Sequence, residues 1–596
     1  MKTQVWLITG SSRGLGRALA EAVLDAGHKL LATARNPKQL SDLVEKHGDH
    51  IRAVALDVTD EHAATAAVQT AVDWFGRLDV LVNNAGYGNL APIEDTTSED
   101  FRAQVETNLF GVVNLTKAAI PVMRRQGSGR MLQFASIGGR VGPVGRSAYA
   151  AAKWGVEGFS EVLAKEVGPL GIKVTIIEPG GFRTDFAGSS QTIRAENPIY
   201  ASTVGAAAKF QREFDGSQPG DPKKAAEVIL KVASLDEPPL RLLLGSDAVR
   251  AAEGAERARS EADKKWRHLS ESTDFAPTAK PPSGKGVGPD APGTTATSEP
   301  AMKNSGPQGG IKQNRKTWLI TGASSGLGYA LAEYVLERGD RVALAARSMQ
   351  SMTALAAHYP DTALAVALDV AKPEQRVAAL RQVEARFDGI DVLVNNAGID
   401  FLGAIEEHDE ADYRSLFEVN FFGAVALLRL VLPGMRERKR GTIINMSSMD
   451  GLASLPSSGY YSSSKFALEG LTESLWQEIE PIGLRAFLVE PGSFRTGIEQ
   501  RTKFSGKPIK DYEATSGAFR KMMNSVTPEM FPGDPVRAAR AIYDVVASDR
   551  PRHWVILGSD AHRRIGAKLD VLRAEFEAGR DMAFSTDYPG SGKAIL

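Results

Sequence analysis

Short apolar runs alternate with stretches of helical periodicity along the first part of the chain. Residues 5–8 are apolar throughout and precede a helical pattern over about 15–25, and the next strand-like run is 29–33. Later runs of the same kind are 78–82 and 174–177. Apolar strands that alternate with helices form a parallel sheet covered by helices on both faces. The pattern therefore predicts an α/β fold with a doubly wound parallel sheet.

The whole pattern occurs twice, at an offset of 312 residues. The pairs that define the offset are Thr9 and Thr321, Asp57 and Asp369, Asn84 and Asn396, Asn108 and Asn420, Tyr149 and Tyr461, and Lys153 and Lys465. Near the end the offset becomes 313, where Ser272-Thr273-Asp274-Phe275 corresponds to Ser585-Thr586-Asp587-Tyr588. Solenoid repeats are only about 20–50 residues long. We therefore predict two domains of one fold, copy one (residues 1–276) and copy two (residues 314–596).

Residues 277–313 between the copies are predicted to be a flexible linker. The segment is dense in Pro, Gly, Ser and Thr, and 280–310 contains no aromatic residue. Such a composition buries too little apolar surface to offset the entropy of ordering the chain. A flexible linker of about 35 residues spans roughly 30–35 Å, so it allows the copies either to touch or to stay apart.

Composition excludes several kinds of chemistry. The 71 basic and 72 acidic residues nearly balance, which gives no reason to expect nucleic acid or an acidic membrane surface as a partner. The absence of cysteine excludes disulfides, thiolate metal ligands and cysteine nucleophiles, and the nine scattered histidines predict no metal site. No apolar run is long enough for a signal peptide or for the ~18 residues of a membrane span. We expect a cytoplasmic protein whose redox chemistry comes from a bound cofactor.

A glycine-rich turn follows the first predicted strand of each copy. Its residues are Thr9, Gly10, Ser11, Ser12, Arg13, Gly14, Leu15 and Gly16 in copy one, and Thr321, Gly322, Ala323, Ser324, Ser325, Gly326, Leu327 and Gly328 in copy two. Glycine is needed where a chain turns tightly from strand to helix and where its backbone approaches a pyrophosphate. The following helix N-terminus presents N–H groups to phosphates. Two occurrences in strand–turn–helix context favour a dinucleotide site over an ordinary turn.

Each copy also carries a tyrosine and a lysine four residues apart. Tyr149 and Lys153, like Tyr461 and Lys465, are separated by about one helical turn, which puts both side chains on one helix face. Tyr460 is excluded as the paired tyrosine because the residue four positions beyond it is a serine. A phenol titrates near 10, and a neighbouring ammonium stabilises its phenolate. The tyrosine then becomes a usable general acid or base.

A serine thirteen residues before each tyrosine, Ser136 or Ser448, follows an apolar strand. The combination of Thr-Gly-x-x-x-Gly-x-Gly, Asn-Asn-Ala-Gly (residues 83–86 and 395–398), this serine and Tyr-x-x-x-Lys resembles the short-chain dehydrogenase/reductase family. The resemblance is to the branch of about 250 residues per domain with a Rossmann-type sheet. It covers essentially the whole chain outside the predicted linker.

The resemblance implies roles for these and further residues. The serine would hydrogen-bond the substrate oxygen, the lysine would also hold the nicotinamide ribose, and Asn108 or Asn420 would complete a water-linked proton relay. An alternative role for such an asparagine is to fix a backbone irregularity. Implied cofactor contacts are Asp57, Val58, Asn84, Ala85, Gly86, Pro179, Gly180 and Thr184, and in copy two Asp369, Val370, Asn396, Ala397, Gly398, Pro491, Gly492 and Thr496.

Two of these implied roles bear on specificity. The aspartate at 57 or 369 would reach the adenine amino group, with capping of the next helix as its alternative role. Residues 185–222 and 497–535 would form the substrate lids. The lid sequences differ between the copies, so the two substrates are expected to differ.

Charge at the end of the second strand indicates the cofactor. A carboxylate there would bind a ribose 2′-hydroxyl, but the strand is followed by Arg35 in copy one and Arg347 in copy two. A guanidinium matches a phosphate by bidentate geometry. Copy one adds Arg13 inside its glycine turn, where copy two has Ser325. We predict NADP(H) in both copies, more strictly in copy one, with NAD as the alternative in copy two and solvated surface charge as the alternative reading of the arginines.

These features together predict a tandem carbonyl reductase or alcohol dehydrogenase that transfers hydride between nicotinamide and a ketone, aldehyde or secondary alcohol. The resemblance is nearest to the 17β-hydroxysteroid dehydrogenases and bacterial ketone reductases. One alternative is that one copy is a silent nucleotide-binding or dimerisation module. Another is that the oxidative, NAD-linked direction dominates. Epimerisation and dehydration are disfavoured because those branches usually have longer substrate domains.

Monomers of this branch commonly pair through the helices that carry the asparagine and the tyrosine, here about 98–124 and 147–167. The predicted linker supplies an effective concentration on the order of millimolar. We therefore hypothesise an intramolecular pseudo-dimer of the two copies, with a higher oligomer left open.

Overall fold

The computed structural model describes residues 3–186, 188, 191–276, 315–498, 500–549 and 552–591, so the predicted linker lies outside the described residues. The strands of copy one are β1 Val5–Ile8, β2 Lys29–Ala34, β3 Ile51–Ala55, β4 Val80–Asn83, β5 Gly129–Phe134, β6 Ile172–Pro179 and β7 Arg241–Leu244. Its helices are α1 Gly14–Asp25, α2 Ser41–His47, α3 Glu61–Phe75, α4 Ser98–Val105, α5 Gly111–Gln126, α6 Ser147–Val167, α7 Ala206–Phe214, α8 Pro222–Ser234 and α9 Ser246–Ser272.

Copy two has the same elements and two additional short strands. Its strands are β8 Thr317–Thr321, β9 Arg341–Ala346, β10 Ala363–Ala367, β11 Val392–Asn395, β12 Phe401–Leu402, β13 Thr442–Met446, β14 Arg485–Pro491, β15 Lys503–Phe504 and β16 Trp554–Leu557. Its helices are α10 Gly326–Glu337, α11 Gln350–His358, α12 Pro373–Phe387, α13 Glu410–Phe417, α14 Gly423–Glu437, α15 Gly459–Ile479, α16 Ala518–Met523, α17 Pro535–Ala547 and α18 Ser559–Phe584.

Each copy contains one seven-stranded parallel sheet. The strand order is β3-β2-β1-β4-β5-β6-β7 in copy one and β10-β9-β8-β11-β13-β14-β16 in copy two. The order reverses direction between β1 and β4, and at such a switch point a doubly wound sheet binds ligands outside the carboxyl ends of its strands. The predicted fold class is confirmed in both copies.

One strand begins later than the apolar pattern indicates. The pattern predicts a strand from residue 78, but β4 starts at Val80. The backbone N–H of Leu78 instead donates to Gln126 Oε1 (3.1 Å), and Gln126 Nε2 donates to the Leu78 carbonyl (2.8 Å). A glutamine at the end of α5 thus takes the backbone groups that a neighbouring strand would otherwise pair.

The two copies pack against each other through their tyrosine-bearing helices. Helix α6 lies against α15, with Gly158 facing the Phe466 ring and Gly470 facing the Trp154 ring. Because glycine has no side chain, the helix axes can approach closely at these points. The apolar core is continuous across the contact and joins buried residues of both copies.

Ion pairs beside this contact obey a local two-fold symmetry. Arg102 in α4 pairs with Glu418 (Nη2 to Oε2, 2.7 Å), and Arg414 in α13 pairs with Glu106 (Nη1 to Oε2, 2.7 Å). The 312-residue offset relates the two pairs, and we call the residue at the matching position of the other copy the image of a residue. Such reciprocity is what an isologous interface between identical subunits produces.

Two buried glutamates at the ends of the paired helices also follow this symmetry. Glu166 accepts from the backbone N–H groups of Ile405 and Ser457 in copy two, each at 2.8 Å. Its image, Glu478, accepts from Ile93 (2.9 Å) and Gly145 (3.1 Å) in copy one. Each copy therefore supplies the hydrogen-bond acceptor for backbone groups in loops of the other.

One helical stretch at this contact is long and apolar. Residues 410–437, which include α13 and α14, have the length and composition to cross a membrane, with a hydropathy of 1.7 over the most apolar 18-residue window. Of that window, 67% is buried inside the protein. Among the described residues it is the one stretch that passes this test, and its burial is that of a core helix.

The end of each copy lies on the other copy. Residues 273–275 and 586–588, which we call the exchanged tails, belong to the matching Ser-Thr-Asp-Phe and Ser-Thr-Asp-Tyr segments. The Phe275 N–H donates to the Pro532 carbonyl of copy two, and the Tyr588 N–H donates to the Pro219 carbonyl of copy one, both at 2.8 Å. The Tyr588 ring lies 4.2 Å from the Arg183 guanidinium, and the Phe275 ring 4.1 Å from that of Arg495.

Each exchanged tail also caps a helix of the other copy. The Ser246 N–H at the start of α9 donates to Asp587 Oδ1 (3.2 Å), and the Ser559 N–H at the start of α18 donates to Asp274 Oδ1 (3.1 Å). The residues that precede these helices, Gly245 and Gly558, have no side chain with which to do so. The cap is therefore supplied by the other copy.

We expect Asp587→Ala to loosen copy one and Asp274→Ala to loosen copy two. Loss of an N-cap acceptor costs about 1 kcal/mol, which corresponds to roughly fivefold faster exchange of the amides that open with the cap. Hydrogen exchange read by mass spectrometry should report this change at residues 245–249 for the first variant and at 558–562 for the second. Faster exchange at 558–562 in Asp587→Ala would contradict the reciprocal docking.

Candidate active sites

The carboxyl ends of the copy-one strands surround a cavity of about 1090 Å³. It extends from the glycine turn after β1, past the ends of β2 and β3, to the helix that carries Tyr149. Most of the predicted site residues of copy one line it: Gly10, Ser12, Arg13, Gly14, Leu15, Arg35, Asp57, Val58, Asn84, Ala85, Gly86, Ser136, Tyr149, Lys153, Pro179, Gly180 and Thr184. The structure thus brings the predicted cofactor and catalytic residues of this copy to one cavity.

Three predicted residues lie behind the cavity wall and support it. Thr9 Oγ1 accepts from the backbone N–H groups of Asn84 (2.9 Å) and Ala85 (3.0 Å), which fixes the end of β4 against the end of β1. A Cβ atom at Gly16 would collide with the Asn84 amide. The third residue, Asn108, is buried beneath Gly86.

Copy two repeats this supporting framework. Thr321 Oγ1 accepts from the backbone N–H groups of Asn396 (2.9 Å) and Ala397 (3.0 Å), and a Cβ atom at Gly328 would collide with the Asn396 amide. The remaining predicted cofactor residues stand at the images of the cavity-lining positions, at or just beyond the carboxyl ends of the strands: Gly322, Ser324, Ser325, Gly326, Leu327, Arg347, Asp369, Val370, Gly398, Pro491, Gly492 and Thr496.

The predicted catalytic residues of copy one are held by backbone contacts. Lys153 Nζ donates to the Phe134 carbonyl at the end of β5 (2.7 Å) and lies 5.8 Å from the centre of the Tyr149 ring. Ser136 Oγ accepts from the Gly138 N–H (3.1 Å), in the turn that follows β5. In copy two Lys465 Nζ donates to Met446 (2.8 Å), and Ser448 Oγ accepts from Asp450 (3.1 Å).

Burial dominates the pKa values of these groups. It lowers the pKa of the Lys153 ammonium to about 7 and that of Lys465 to about 8. Burial raises the pKa of the Tyr149 phenol, while the Ser136 hydroxyl and the Arg146 cation act to lower it. The Lys153 ammonium donates to a carbonyl, and its stabilisation of the phenolate stays a prediction. The serine and Arg146 oppose the effect of burial on this phenol.

The two asparagines occupy π-helical turns between consecutive helices. Asn108 lies in the turn Glu106–Phe110, where its Oδ1 accepts from the Tyr87 N–H (3.0 Å) and its Nδ2 donates to the Tyr87 carbonyl (2.8 Å). Asn420 bonds to Ile399 in the same way (2.8 and 2.9 Å). The asparagine thus secures a backbone irregularity beside the site, as the alternative role has it, and the proton relay stays a prediction.

The aspartates after the third strand do not cap the next helix. Asp57 Oδ1 accepts from the Thr59 N–H (3.0 Å), and the cap of α3 is Asp60, whose side chain accepts from Ala63. In copy two Asp369 Oδ1 accepts from Ala371 (3.0 Å). The capping role is therefore wrong, because each carboxylate turns back on its own loop two residues later.

Arg146, which was not predicted as a site residue, lines the copy-one cavity beside Tyr149. Its Nη2 donates to Gln191 Oε1 (3.1 Å) and Gln211 Oε1 (3.0 Å), two side chains of the predicted lid. No local pattern signals this role, because Arg146 precedes α6 with a non-helical backbone, so helical spacing does not set its direction.

The first strand of the parallel sheet leads through a glycine turn into a helix, and serine, tyrosine and lysine line the far end of the same cavity. This arrangement defines the class of nicotinamide-dependent oxidoreductases. Residues 4–194 and 316–505 each match the short chain dehydrogenase family. The chain therefore belongs to the short chain dehydrogenase family, with two tandem copies, and is an NAD(P)-dependent oxidoreductase.

Individual relatives match about one copy's length of the chain. Oxidoreductase BOA17 of Botryotinia fuckeliana is 52% identical over 269 residues, which is 45% of this chain and 98% of the relative. A 3-ketodihydrosphingosine reductase of Bacteroides thetaiotaomicron is 36% identical over 249 residues, 41% of this chain and 89% of the relative. The solved structure of a short-chain dehydrogenase from Streptomyces avermitilis is 41% identical, with a TM-score of 0.43, and covers 45% of this chain and 98% of its own.

Proposed function

We propose that the chain is a two-site NADP(H)-dependent carbonyl reductase or alcohol dehydrogenase. The observation that carries the proposal is a cavity of copy one that is lined at one end by the glycine turn and at the other by Ser136, Tyr149 and Lys153. The cavity volume of about 1090 Å³ has room for a dinucleotide and a small substrate together. A relative named as a 3-ketodihydrosphingosine reductase supports the direction of ketone reduction.

The residues of copy one suit a nicotinamide dinucleotide. Gly10 and Gly14 expose the backbone before α1, whose N-terminus favours phosphate. Glycine is required at 86, since a Cβ atom there would lie 2.5 Å from Asn108 Oδ1. Thr184 lies on the other side of the glycine turn, with its Cβ atom 3.6 Å from the position of a Cβ atom at Gly14. When bound, NADP(H) supplies or accepts the hydride.

The chemistry assigned to the chain's own residues is acid–base catalysis and positioning. The Tyr149 hydroxyl gives its proton to the substrate oxygen during reduction and takes it back during oxidation. Ser136 donates a hydrogen bond to the same oxygen and so stabilises its developing charge. Lys153, held on the Phe134 carbonyl, places a partly charged ammonium near the phenol, because its pKa is close to 7. Tyr461, Ser448 and Lys465 are assigned the same roles in copy two.

Oxidation of NADPH and NADH in the presence of ketones and aldehydes tests this function directly. The intact chain should consume NADPH only when a carbonyl compound is present and should yield one alcohol for each NADPH oxidised. Consumption without alcohol formation, or no consumption with any carbonyl of a broad panel, would overturn the proposal.

Preference for NADP(H) in copy one is assigned to Arg13 and Arg35. Both line the cavity, are exposed, and form no ion pair within the described part of the chain, so both are available to a 2′-phosphate. In copy two the guanidinium of the lid residue Arg501 lies 3.6 Å from the Cβ position of Gly326, near its glycine turn. With Arg347 it gives copy two a second cation in place of Arg13.

We expect Arg13→Ala and Arg35→Ala each to lower kcat/KM for NADPH by about 10–100-fold in copy one, because a hydrogen bond to a charged group contributes about 1.5–3 kcal/mol. Kinetics in a Tyr461→Phe background would report copy one alone. Arg17→Ala is the matched control, because Arg17 is a nearby arginine already paired with Glu21 and Asp42. An equal loss for NADH would instead assign the arginines to the pyrophosphate.

We also propose that the two copies stay paired in solution as an intramolecular pseudo-dimer in the cytoplasm. The reciprocal ion pairs, the glutamates at the ends of α6 and α15, and the exchanged tails support it. The hydrogen-exchange experiment on Asp587 and Asp274 tests it in solution, because separated copies would leave neither cap in place.

A further inference from the structure

The two copies carry opposite charges at the same place beside the catalytic tyrosine. Copy one has Arg146 three residues before Tyr149, and the image of this arginine in copy two is Ser458. Copy two has Asp400, and its image in copy one is Gly88. Each copy thus has one charged and one small residue at these two positions, with the charge reversed.

In copy one the two positions adjoin the phenol ring. A Cβ atom at Gly88 would lie 3.2 Å from Tyr149 Cδ2 and 3.3 Å from Arg146 Nη1. The guanidinium and the tyrosine ring therefore both adjoin the position that a side chain at residue 88 would occupy. Glycine at 88 leaves the room that the arginine occupies.

Arg146 lacks a counter-ion. Its hydrogen bonds go to the neutral amides of Gln191 and Gln211, and no carboxylate pairs with it among the described residues. Burial lowers its pKa, yet a guanidinium keeps its proton at any physiological pH. A half-buried cation with only neutral partners is costly, and an anion in the cavity would offset that cost.

Asp400 is the corresponding charged group of copy two, and it forms no ion pair among the described residues, although the Lys465 ammonium and the Phe401 N–H act to lower its pKa. Its Oδ1 is buried and has no hydrogen-bond partner in the described part of the chain. The nearby Asp450 is paired with Arg564, so its charge is matched within the copy. Burial, and then the charge of Asp450, raise the pKa of Asp400 to about 7. Burial also raises the pKa of Tyr461, and the charges of both aspartates add to that effect.

From this reversal, which rests on the proposed carbonyl chemistry, we infer that the copies select substrates of opposite charge. Copy one takes carbonyl compounds that carry a carboxylate, to which Arg146 donates a charge-assisted hydrogen bond from Nη1, because the two glutamines already occupy Nη2. Copy two takes carbonyl compounds that carry a protonated amine, which donates to Asp400. The bound amine keeps Asp400 ionised, because a neighbouring positive charge lowers the pKa of a carboxyl group.

Three compounds with one carbonyl environment test the inference: 3-acetylbenzoate, its methyl ester and 3-acetylbenzylamine. The full chain with Tyr461→Phe reports copy one, and with Tyr149→Phe it reports copy two. We expect copy one to favour the carboxylate over the ester by about 10–100-fold in kcat/KM, and copy two to favour the amine over the ester similarly, since charged hydrogen bonds contribute about 1.5–3 kcal/mol.

Substitutions at the two positions assign the selectivity. Arg146→Ser, which introduces the residue found in copy two, should abolish the carboxylate preference, and Asp400→Gly, which introduces the residue found in copy one, should abolish the amine preference. Arg194→Ser is the matched control, since it removes a lid arginine that is exposed and paired with Asp100, and it should leave the carboxylate-to-ester ratio unchanged. A ratio that survives Arg146→Ser, or falls equally in Arg194→Ser, overturns the inference for copy one.

Calorimetry without turnover separates this inference from the proposed function. In a chain with both Tyr149→Phe and Tyr461→Phe, benzoate should bind at one site, and the further substitution Arg146→Ser should abolish this binding. Benzylamine should also bind at one site, and Asp400→Gly should abolish that binding. If both substitutions abolish binding but the intact chain reduces no carbonyl compound, the reductase function is overturned and the charge selectivity is retained. Reduction of all three compounds at equal rates would overturn the selectivity alone.

Discussion

Arg259→Leu is expected to destabilise copy two by about 3–5 kcal/mol while copy one stays folded, because it leaves a buried carboxylate pair without a cation. Glu469 and Glu490 are fully buried in copy two, and Arg259 reaches them from α9 of copy one. Its Nη2 donates to Glu490, and its Nη1 lies 3.7 Å from Glu469. Unfolding should split into two transitions, with copy two unfolding first.

Copy one does not depend on copy two in this way. Its corresponding buried pair, Glu157 and Glu178, contacts two arginines of its own: Arg140 donates to Glu178, and Arg241 donates to Glu157 (3.0 Å). The images of these arginines in copy two are Leu452 and Trp554, and the image of Arg259 is Leu572. Copy one thus has an arginine at 140 and copy two a leucine at the matching position 452, whereas at the other pair of matching positions the arginine is Arg259 of copy one and the leucine is Leu572 of copy two. Each glutamate pair therefore has an arginine, which copy one supplies in both cases.

This difference between the copies provides both a rescue and a pH signature. Leu452→Arg in the Arg259→Leu chain recreates the copy-one arrangement and should restore most of the lost stability. Without Arg259 the folded pKa of the glutamate pair rises further above the unfolded value of 4.5. Between these values the folded chain binds more protons than the unfolded chain, so lowering the pH toward 4.5 should reduce the destabilisation. A loss that is the same at pH 5 and pH 8 would show that lost packing, not charge, is responsible.

Tyr149→Phe is expected to lower kcat by about 10²–10⁴-fold on the carbonyl compounds that copy one reduces, and Tyr461→Phe to do the same for copy two. Each substitution removes one oxygen and no other contact, so the fold and cofactor binding should persist. NADPH oxidation against a panel of ketones and aldehydes measures both. If the two variants abolish activity on different compounds, each copy is an independent reductase.

The neighbouring tyrosine of copy two is the control for this experiment. Tyr460 is buried at the contact with copy one, stacked 4.3 Å from the Tyr413 ring, and its hydroxyl donates to the Ile405 carbonyl (3.3 Å). Tyr460→Phe should therefore leave turnover unchanged. A variant of Tyr149 or Tyr461 that retains full activity on every compound tried would mean that its copy is a silent nucleotide-binding module.

The sequence predicted what depends on local pattern. Strand–helix alternation and the glycine turn determine the sheet and place Tyr149, Lys153 and Ser136 at its carboxyl edge. Arg259 could not be found in this way, because α9 has the charge pattern of a solvated helix and the partner Glu490 is 231 residues away. The repeated Ser-Thr-Asp motif was visible, but its docking partner lies in the other copy.

Arg146 shows a different limit of sequence reasoning. Its side chain faces the cavity only because the turn before α6 brings it under the lid glutamines Gln191 and Gln211, and no local pattern encodes that contact. The π-helical turn that holds Asn108 is similar, since its backbone partner, Tyr87, lies in a loop after β4. In both cases a tertiary contact sets the orientation of the side chain.

The exchanged tails make the order of synthesis matter. Copy two can be capped as soon as it forms, because Asp274 has already left the ribosome, whereas copy one waits for Asp587, which is made 341 residues after Ser246. At about 5–20 residues per second that wait is roughly 20–70 s. A chain that ends anywhere in copy two therefore leaves the first domain without the acceptor that caps α9.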